Sequence, residues 1–348
     1  MLEESIFQGV FGDTVKTLRQ QTGGLKMCTS IAMTGNEFYF GRNLDLEYSF
    51  GEKVFVTPRN YPIARKTGDP LEHHYAMIGM AGGAEDYPLY AEAANEKGLC
   101  MAGLNFPGNA QYAAQAEPGR ENLTPYELIL WVLGTCASVD EAKRLLENTR
   151  LTAIPFREGL PVAPLHWHIA DREQSIVVES CADGLHVYDN PAGVLTNNPP
   201  FPYHLTNLRC YLNLTAKSPD NRFGGGLGLE PFGQGMGAIG LPGDFSPSSR
   251  FVKASFLREN SSGELTPAQF FHILDAVAMV RGAVVTPEGR CDITAYSCCI
   301  DADHGIYYYK TYENNQIAAV DLFREDLDGR ELKRYELIRD QQIRWVNR

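Results

Sequence analysis

Cys28-Thr29-Ser30-Ile31-Ala32-Met33 and Glu37-Phe38-Tyr39-Phe40-Gly41-Arg42 are two short β-like runs, with Thr34-Gly35-Asn36 between them. The pattern predicts a β-hairpin with a three-residue loop. Counting outward from a Met33–Glu37 pair sets Cys28 opposite Arg42, and cross-strand partners hold their Cβ atoms about 4.5–5.5 Å apart. A guanidinium beside a thiol lowers the thiol pKa and favours the nucleophilic thiolate. Asp45 lies three residues further, within reach of an ammonium or amide near Cys28. The hairpin thus gathers a nucleophile, a cation and a carboxylate, and what it lacks is a general base. Were the chain cut before Cys28, the new α-amine would supply one, since its intrinsic pKa is near ~8. Thiol and base would then sit on one residue, the N-terminal nucleophile arrangement. The same residues also read as an ordinary buried cysteine beside a surface Arg–Asp pair.

Further along, Leu89 to Ala94 and Leu99 to Asn105 flank a second hairpin turn, Asn95-Glu96-Lys97-Gly98. Helices are expected at the capping signals Thr124-Pro125-Tyr126-Glu127 and Ser138-Val139-Asp140-Glu141, near Pro247–Asn260, and near Pro267–Val280, where Thr266-Pro267-Ala268-Gln269 is again a capping signal. Strands return at Leu165 to Ala170, Ser175 to Ser180, Leu185 to Asp189, Ile293–Ile300, Gly305–Tyr312 and Gln316–Leu322. Strands and helices come in groups and no linker divides them, so the reading is α+β with two sheets and packed helices in one domain.

Composition narrows the function. The 348 residues carry 43 acidic against 31 basic side chains, a formal net charge of −12. That balance argues against nucleic acid and against docking on an anionic membrane. No apolar stretch approaches a membrane span. The N-terminus opens with Glu3 and Glu4 ahead of no long apolar core, so it does not read as a signal peptide. Phe7, Phe11, Val15 and Leu18 fall instead at helical spacing. The eight cysteines are scattered without a CxxC pair and read as reduced, buried thiols of a cytoplasmic protein. Cys298 and Cys299 should point to opposite faces of their strand. His166 and His168 share a strand face but no third ligand is near, so no metal is expected. Gly235-Met236-Gly237-Ala238-Ile239-Gly240 matches GxGxxG but follows no strand and opens no helix, and it reads as part of a long loop, Gly224 to Gly243. A Cys–His hydrolase would need a histidine such as His166, His168 or His272 as its base.

With these motifs in hand, the sequence resembles the choloylglycine hydrolases, which are conjugated bile acid hydrolases and the related penicillin V acylases. The resemblance rests on Met27-Cys28-Thr29-Ser30, Gly41-Arg42-Asn43-Leu44-Asp45, Thr57-Pro58-Arg59-Asn60-Tyr61, Asn95-Glu96-Lys97-Gly98-Leu99 and Ala102-Gly103-Leu104-Asn105-Phe106-Pro107-Gly108. It continues at Leu195-Thr196-Asn197-Asn198-Pro199-Pro200, Gly240-Leu241-Pro242-Gly243-Asp244, Ser248-Ser249-Arg250-Phe251 and Tyr296-Ser297-Cys298-Cys299 with Gly305-Ile306-Tyr307-Tyr308-Tyr309. It implies a four-layer αββα N-terminal nucleophile hydrolase sandwich, two antiparallel sheets between helix layers. It also implies Cys28 as nucleophile, its α-amine as proton carrier, and Arg42 and Asp45 as positioning neighbours. The family's oxyanion hole maps to the Asn105 backbone N–H and the Asn197 side chain, and its second active-site arginine to Arg250. Penicillin V acylases tend to carry tyrosine in place of Asn105, which favours conjugated bile salts as substrate and leaves penicillin V acylase the alternative.

The implied protein needs no cofactor and is a homotetramer. Phe50, Phe55, Ile78, Met80 and Phe106 are candidates for a sterol cleft, and Phe232-Gly233-Gln234-Gly235 for the glycine-versus-taurine choice. Residues 1–27 depart from the pattern of a family whose Met27 equivalent is often the initiator. They read as an over-long start, as a propeptide, or as a retained segment on a binding-only, non-catalytic member; residues 28–348 read as the single catalytic domain.

Overall fold

Phe38, not Glu37, opens the second strand of the hairpin. The structure, a computed structural model, describes residues 27–82 and 86–347, so the helical spacing read at Phe7 to Leu18 lies outside the described residues. In chain order the elements are β1 (Met27–Thr34), β2 (Phe38–Leu46), β3 (Lys53–Thr57), β4 (Met77–Gly82), β5 (Leu89–Asn95), β6 (Cys100–Asn105), β7 (Glu121–Leu123), α1 (Leu128–Thr135), α2 (Val139–Glu147), β8 (Thr149–Leu151), β9 (Leu165–Ala170), β10 (Ser175–Cys181), β11 (Gly184–Asp189), β12 (Val194–Leu195), α3 (Phe201–Leu208), α4 (Pro247–Glu259), α5 (Pro267–Asp275), β13 (Val284–Val285), β14 (Cys291–Asp301), β15 (Ile306–Thr311), β16 (Ala318–Asp321) and β17 (Lys333–Glu336).

Two sheets carry the molecule. One runs β12-β1-β2-β14-β15-β16, with β13 also paired to β14, and the other runs β11-β10-β9-β6-β5-β4-β3-β17. All their pairings are antiparallel. Their inner faces meet in a core that includes Phe40, Leu44, Ile78, Met80, Ala102 and Leu104. On the outer face of the first sheet lie α4 and α5, whose Phe251, Phe270 and Leu274 are buried against it. On the outer face of the second lie α1 and α2, packed over Ala93, Met101, Trp167 and Ile169. This is the αββα sandwich that the grouping of elements anticipated.

The helix starts follow their capping residues. The side chains of Ser138, Ser246 and Thr266 each accept a backbone N–H at the third residue on. At α1 only half of the capping box forms: Glu127 accepts from Thr124 N at 2.8 Å, and the helix begins at Leu128. The second hairpin turn holds because Asn95 Oδ1 accepts from Lys97 N and Leu99 N, while Asn95 Nδ2 donates to Leu133 O and Cys136 O at the end of α1. The GxGxxG stretch forms only a 3₁₀ turn at Met236–Ala238.

The first hairpin is shifted by two residues from its expected register. Thr34 pairs with Phe38, Ser30 with Arg42 and Cys28 with Leu44. The loop is therefore 35–37, closed by Gly35 N to Glu37 O at 2.9 Å, and Phe38 N is held by Asp303 at 2.7 Å. A shift of two keeps every side chain on its face. Cys28 and Arg42 thus still share one face, as diagonal neighbours that a long side chain can span. Gly41 is required beside Arg42, because a Cβ there would stand 2.0 Å from Cys298 O in the neighbouring strand.

Candidate active site

The six candidate residues Cys28, Arg42, Asp45, Asn105, Asn197 and Arg250 all lie buried around the first residues of β1. Strand alternation turns the Cys28 and Arg42 side chains toward the second sheet. There Arg42 Nη1 donates to Gly103 O at 2.7 Å and Ala91 O at 3.2 Å, and lies 3.6 Å from Glu92 Oε2. Asp45 pairs with Met27 and faces the other way, where Thr294 Oγ1 donates to its Oδ1 at 2.6 Å and its Oδ2 is buried without a partner. Arg250 comes from the first turn of α4 and donates through Nη1 to Cys28 O at 2.5 Å and Thr29 Oγ1 at 2.6 Å. Its Nη2 donates to Asn197 Oδ1 at 2.8 Å. The same Oδ1 accepts from Cys28 N at 2.9 Å, and Asn197 Nδ2 donates to Asn105 O at 2.8 Å. Asn197 therefore links the start of β1 to the end of β6. Two arginines reach Cys28 from opposite faces of the sheet.

The electrostatics correct one expectation. Burial pushes the Cys28 thiol pKa up, and the opposing pull of Arg42, and then of Arg250, does not offset it. The thiol has left water, and the nearby Asp45 charge adds to the penalty. Burial also pushes Asp45 up to about 6, against Arg250, the Thr294 hydroxyl and Arg42. Asp292, buried near Asp45 and Glu47, is pushed up to about 7. A carboxyl raised above its unfolded value of 3.8 stabilises the fold least when ionised, so its contribution is lost as pH rises from about 4 through about 6. With Cys28 still in peptide linkage, Asp45→Asn should stabilise the chain at about pH 8 by up to about 3 kcal/mol and leave it unchanged at about pH 4. Urea unfolding at the two pH values checks this; an Asn variant no more stable at the higher pH would contradict it.

No histidine serves Cys28. His166 bonds Glu179 at 3.1 Å and Thr196 O at 3.0 Å, and its ring stacks on Phe106 at 4.3 Å. It braces the two segments that carry Asn105 and Asn197. His168 bonds Ser30 Oγ at 2.9 Å and Ser175 Oγ at 2.8 Å, and burial holds its pKa down at about 3. His272 is exposed on α5. Among the described residues, one group has metal-ligand spacing, Glu37, Asp301 and His304. It sits at the far tip of the β1–β2 hairpin from Cys28.

Of the proposed sterol-cleft residues, Ile78, Met80 and Phe106 are fully buried core, and Phe55 packs on the opposite face of its sheet from Ile78 and Met80. They do not form one wall. The specificity candidate Phe232 is 92% exposed. Sequence reading missed Thr29, Thr294 and Glu92. No spacing signal marks the first two, and Glu92 reads as a solvent position in an alternating strand. No helix among the described residues is long and apolar enough to cross a membrane.

Two antiparallel sheets between helix layers, with a cysteine at the head of a central strand, define the N-terminal nucleophile hydrolase fold. Residues 28–335 match the family model for linear amide C-N hydrolases, choloylglycine hydrolase family, and the chain belongs to that family. It is 47% identical over 325 residues to a bile salt hydrolase/transferase of Lactiplantibacillus plantarum, covering 92% of this chain and 100% of that protein. It is 43% identical over 329 residues to one from Clostridium perfringens, with the same coverage. The crystal structure of a cysteine-to-alanine mutant of the conjugated bile acid hydrolase from Clostridium perfringens superposes with a TM-score of 0.87, at 43% identity, over 92% of this chain and 100% of that one. Penicillin V acylase from Agrobacterium tumefaciens has a TM-score of 0.71 over 89% of this chain and 91% of its own, and at 21% identity shares the fold.

Proposed function

We propose that this enzyme hydrolyses the amide bond joining a bile acyl chain to glycine or taurine, with Cys28 as its N-terminal nucleophile. The observation that carries the reading is the convergence of Arg42, Asp45, Asn197 and Arg250 on Cys28, in a chain of this family with relatives named for bile salts. Residues 1–27 are removed and residues 28–348 form the catalytic domain. The liberated α-amine then faces Asp45, whose buried Oδ2 has no other partner among the described residues and can hold the ammonium formed during the reaction.

In the first half-reaction the α-amine takes the thiol proton and the Cys28 sulfur attacks the amide carbonyl carbon. The oxyanion meets the backbone N–H of Asn105 and the Asn197 amide, which has a second hydrogen beyond the one given to Asn105 O. Each such donor is worth about 2.7–4 kcal/mol in the transition state. The ammonium returns its proton to the nitrogen as the C–N bond breaks, releasing glycine or taurine and leaving a thioester. Water, deprotonated by the same amine, then releases the bile acid. An amine in place of water would give the transfer reaction named for two relatives.

We further propose cytoplasmic residence, consistent with eight unpaired cysteines, and a homotetramer. The exposed Phe223 and Phe232 on one loop suit a subunit contact; sedimentation equilibrium giving a monomer would remove that proposal. The function is tested with glycocholate, taurocholate and penicillin V on a chain beginning at Cys28. Release of glycine or taurine is expected, with penicillin V turned over at least about tenfold more slowly. Binding of the conjugates without turnover would point to a non-catalytic member.

A further inference from the structure

Glu92 crosses the space between the two sheets and, among the described residues, meets hydrogen-bond donors. It sits in β5, fully buried, on the face turned to the first sheet. Tyr307 of β15 donates its hydroxyl to Oε1 at 2.6 Å. Tyr296 of β14 donates to Oε2 at 2.8 Å and stands 3.1 Å from Oε1. Arg42 Nη1 of β2 lies 3.6 Å from Oε2, and Cys298 of β14 also faces the carboxyl. The bond to Tyr307 has the length of a charge-assisted O–H···O⁻ contact. Burial raises the Glu92 pKa, while Arg42 and the two phenols act against the rise.

The hydrogen bonds of Arg42 go to the backbone carbonyls of Asn43, Ala91 and Gly103, and among the described residues its Nη2 is buried without a partner. Carbonyls orient a guanidinium but do not offset its charge. A buried cation beside the thiol needs a counter-charge to stay put, and Glu92 is the carboxylate within ion-pair range of it. The groups facing Cys28 are Arg42 and Asp45 from β2 and Arg250 from α4, so Glu92 acts on the thiol through Arg42.

We propose that Glu92 is a positioning residue for the hydrolysis: it anchors Arg42 from the opposite sheet and offsets part of the positive charge Arg42 presents to Cys28. This rests on the reading of Cys28 as nucleophile. Burial holds the thiol pKa up; the pair limits how far Arg42 draws it back down, and it fixes where the guanidinium stands beside the sulfur, which is the part of its role that kcat reads. Tyr296 and Tyr307 favour the ionised form of the carboxyl and aim it.

The test uses wild-type, Glu92→Gln and Glu92→Asp chains that begin at Cys28. Iodoacetamide alkylation of Cys28 is followed against pH by the mass of the N-terminal peptide, alongside kcat and KM for a glycine conjugate. Glu92→Gln should move the alkylation midpoint down by about one pH unit and lower kcat at least about tenfold with KM little changed. Glu92→Asp should keep the wild-type midpoint with a reduced kcat, because the charge stays and the arm shortens. A Gln variant with the wild-type midpoint overturns the proposal even if activity falls. Should the Gln variant not fold, Glu92→Asp decides alone: a moved midpoint or a wild-type kcat overturns it. Alkylation needs no substrate, so a wild-type protein inactive on conjugates would refute the bile-salt reading while leaving this readout intact.

Discussion

Cys28→Ala is expected to abolish conjugate hydrolysis, by at least about 10⁴-fold, while the protein stays folded. In the proposed mechanism the sulfur forms the covalent intermediate, and among the described residues no neighbouring group at the head of β1 is a nucleophile that could replace it. Thr29 is committed to Arg250 and points to the other face of the sheet. Cys28 is only 3% exposed, yet removing its sulfur deletes one atom at a strand end, so the expected loss of stability is about 1–2 kcal/mol. Cys28→Ser should lose nearly as much activity, since a hydroxyl at that site would present far less anion than a thiol. Release of glycine or taurine, with circular dichroism as the fold control, gives the answer. Either variant retaining full activity would end the assignment.

The second large effect concerns the α-amine. A chain whose Cys28 nitrogen remains in an amide, through the retained N-terminal segment or through acetylation, should lose about 10²–10⁴-fold in kcat. An amide nitrogen neither accepts the thiol proton nor delivers one to the leaving amine. In the full chain this nitrogen donates its hydrogen to Asn197 Oδ1, and Asp45 stands buried and short of a cationic partner, with its pKa pushed up to about 6. Freeing the amine supplies that cation, so Asp45 should then titrate lower and hold the ammonium in place. Comparable rates for free and acetylated Cys28 would contradict this, and would move the base to another group.

The fold was legible where local chemistry alone decides it. Ser138 and Thr266 cap helices because a side-chain oxygen needs only the N–H three residues on. The hairpin register was missed by two residues, since it depends on Asp303, more than 260 residues away, taking the Phe38 amide. The faces survived that error because a strand repeats every two residues. Helix α3 was not anticipated: only Phe201 and His204 are buried on it, too few to show a helical period. Cys28, Arg42 and Asp45 share one hairpin and could be grouped from spacing. Asn105, Asn197 and Arg250 reach the site from three other elements, and family resemblance alone singled them out. The thiol pKa was read in the wrong direction because spacing reports the charge of Arg42 but not the loss of water around the sulfur. Glu92 was passed over for a related reason: an acidic residue at an alternate strand position reads as solvent-facing, and only the second sheet, with Tyr296 and Tyr307 opposite, makes that position interior.

The central claim, that Cys28 is an N-terminal residue and takes up the acyl group, is tested most directly by rapid acid quench of the protein during turnover of glycocholate, followed by peptide mass spectrometry. The account predicts a peptide that begins at Cys28 and carries the mass of the cholyl group in thioester linkage. A turning-over protein whose N-terminal peptide starts upstream of Cys28, or whose acyl group sits on another residue, would contradict it.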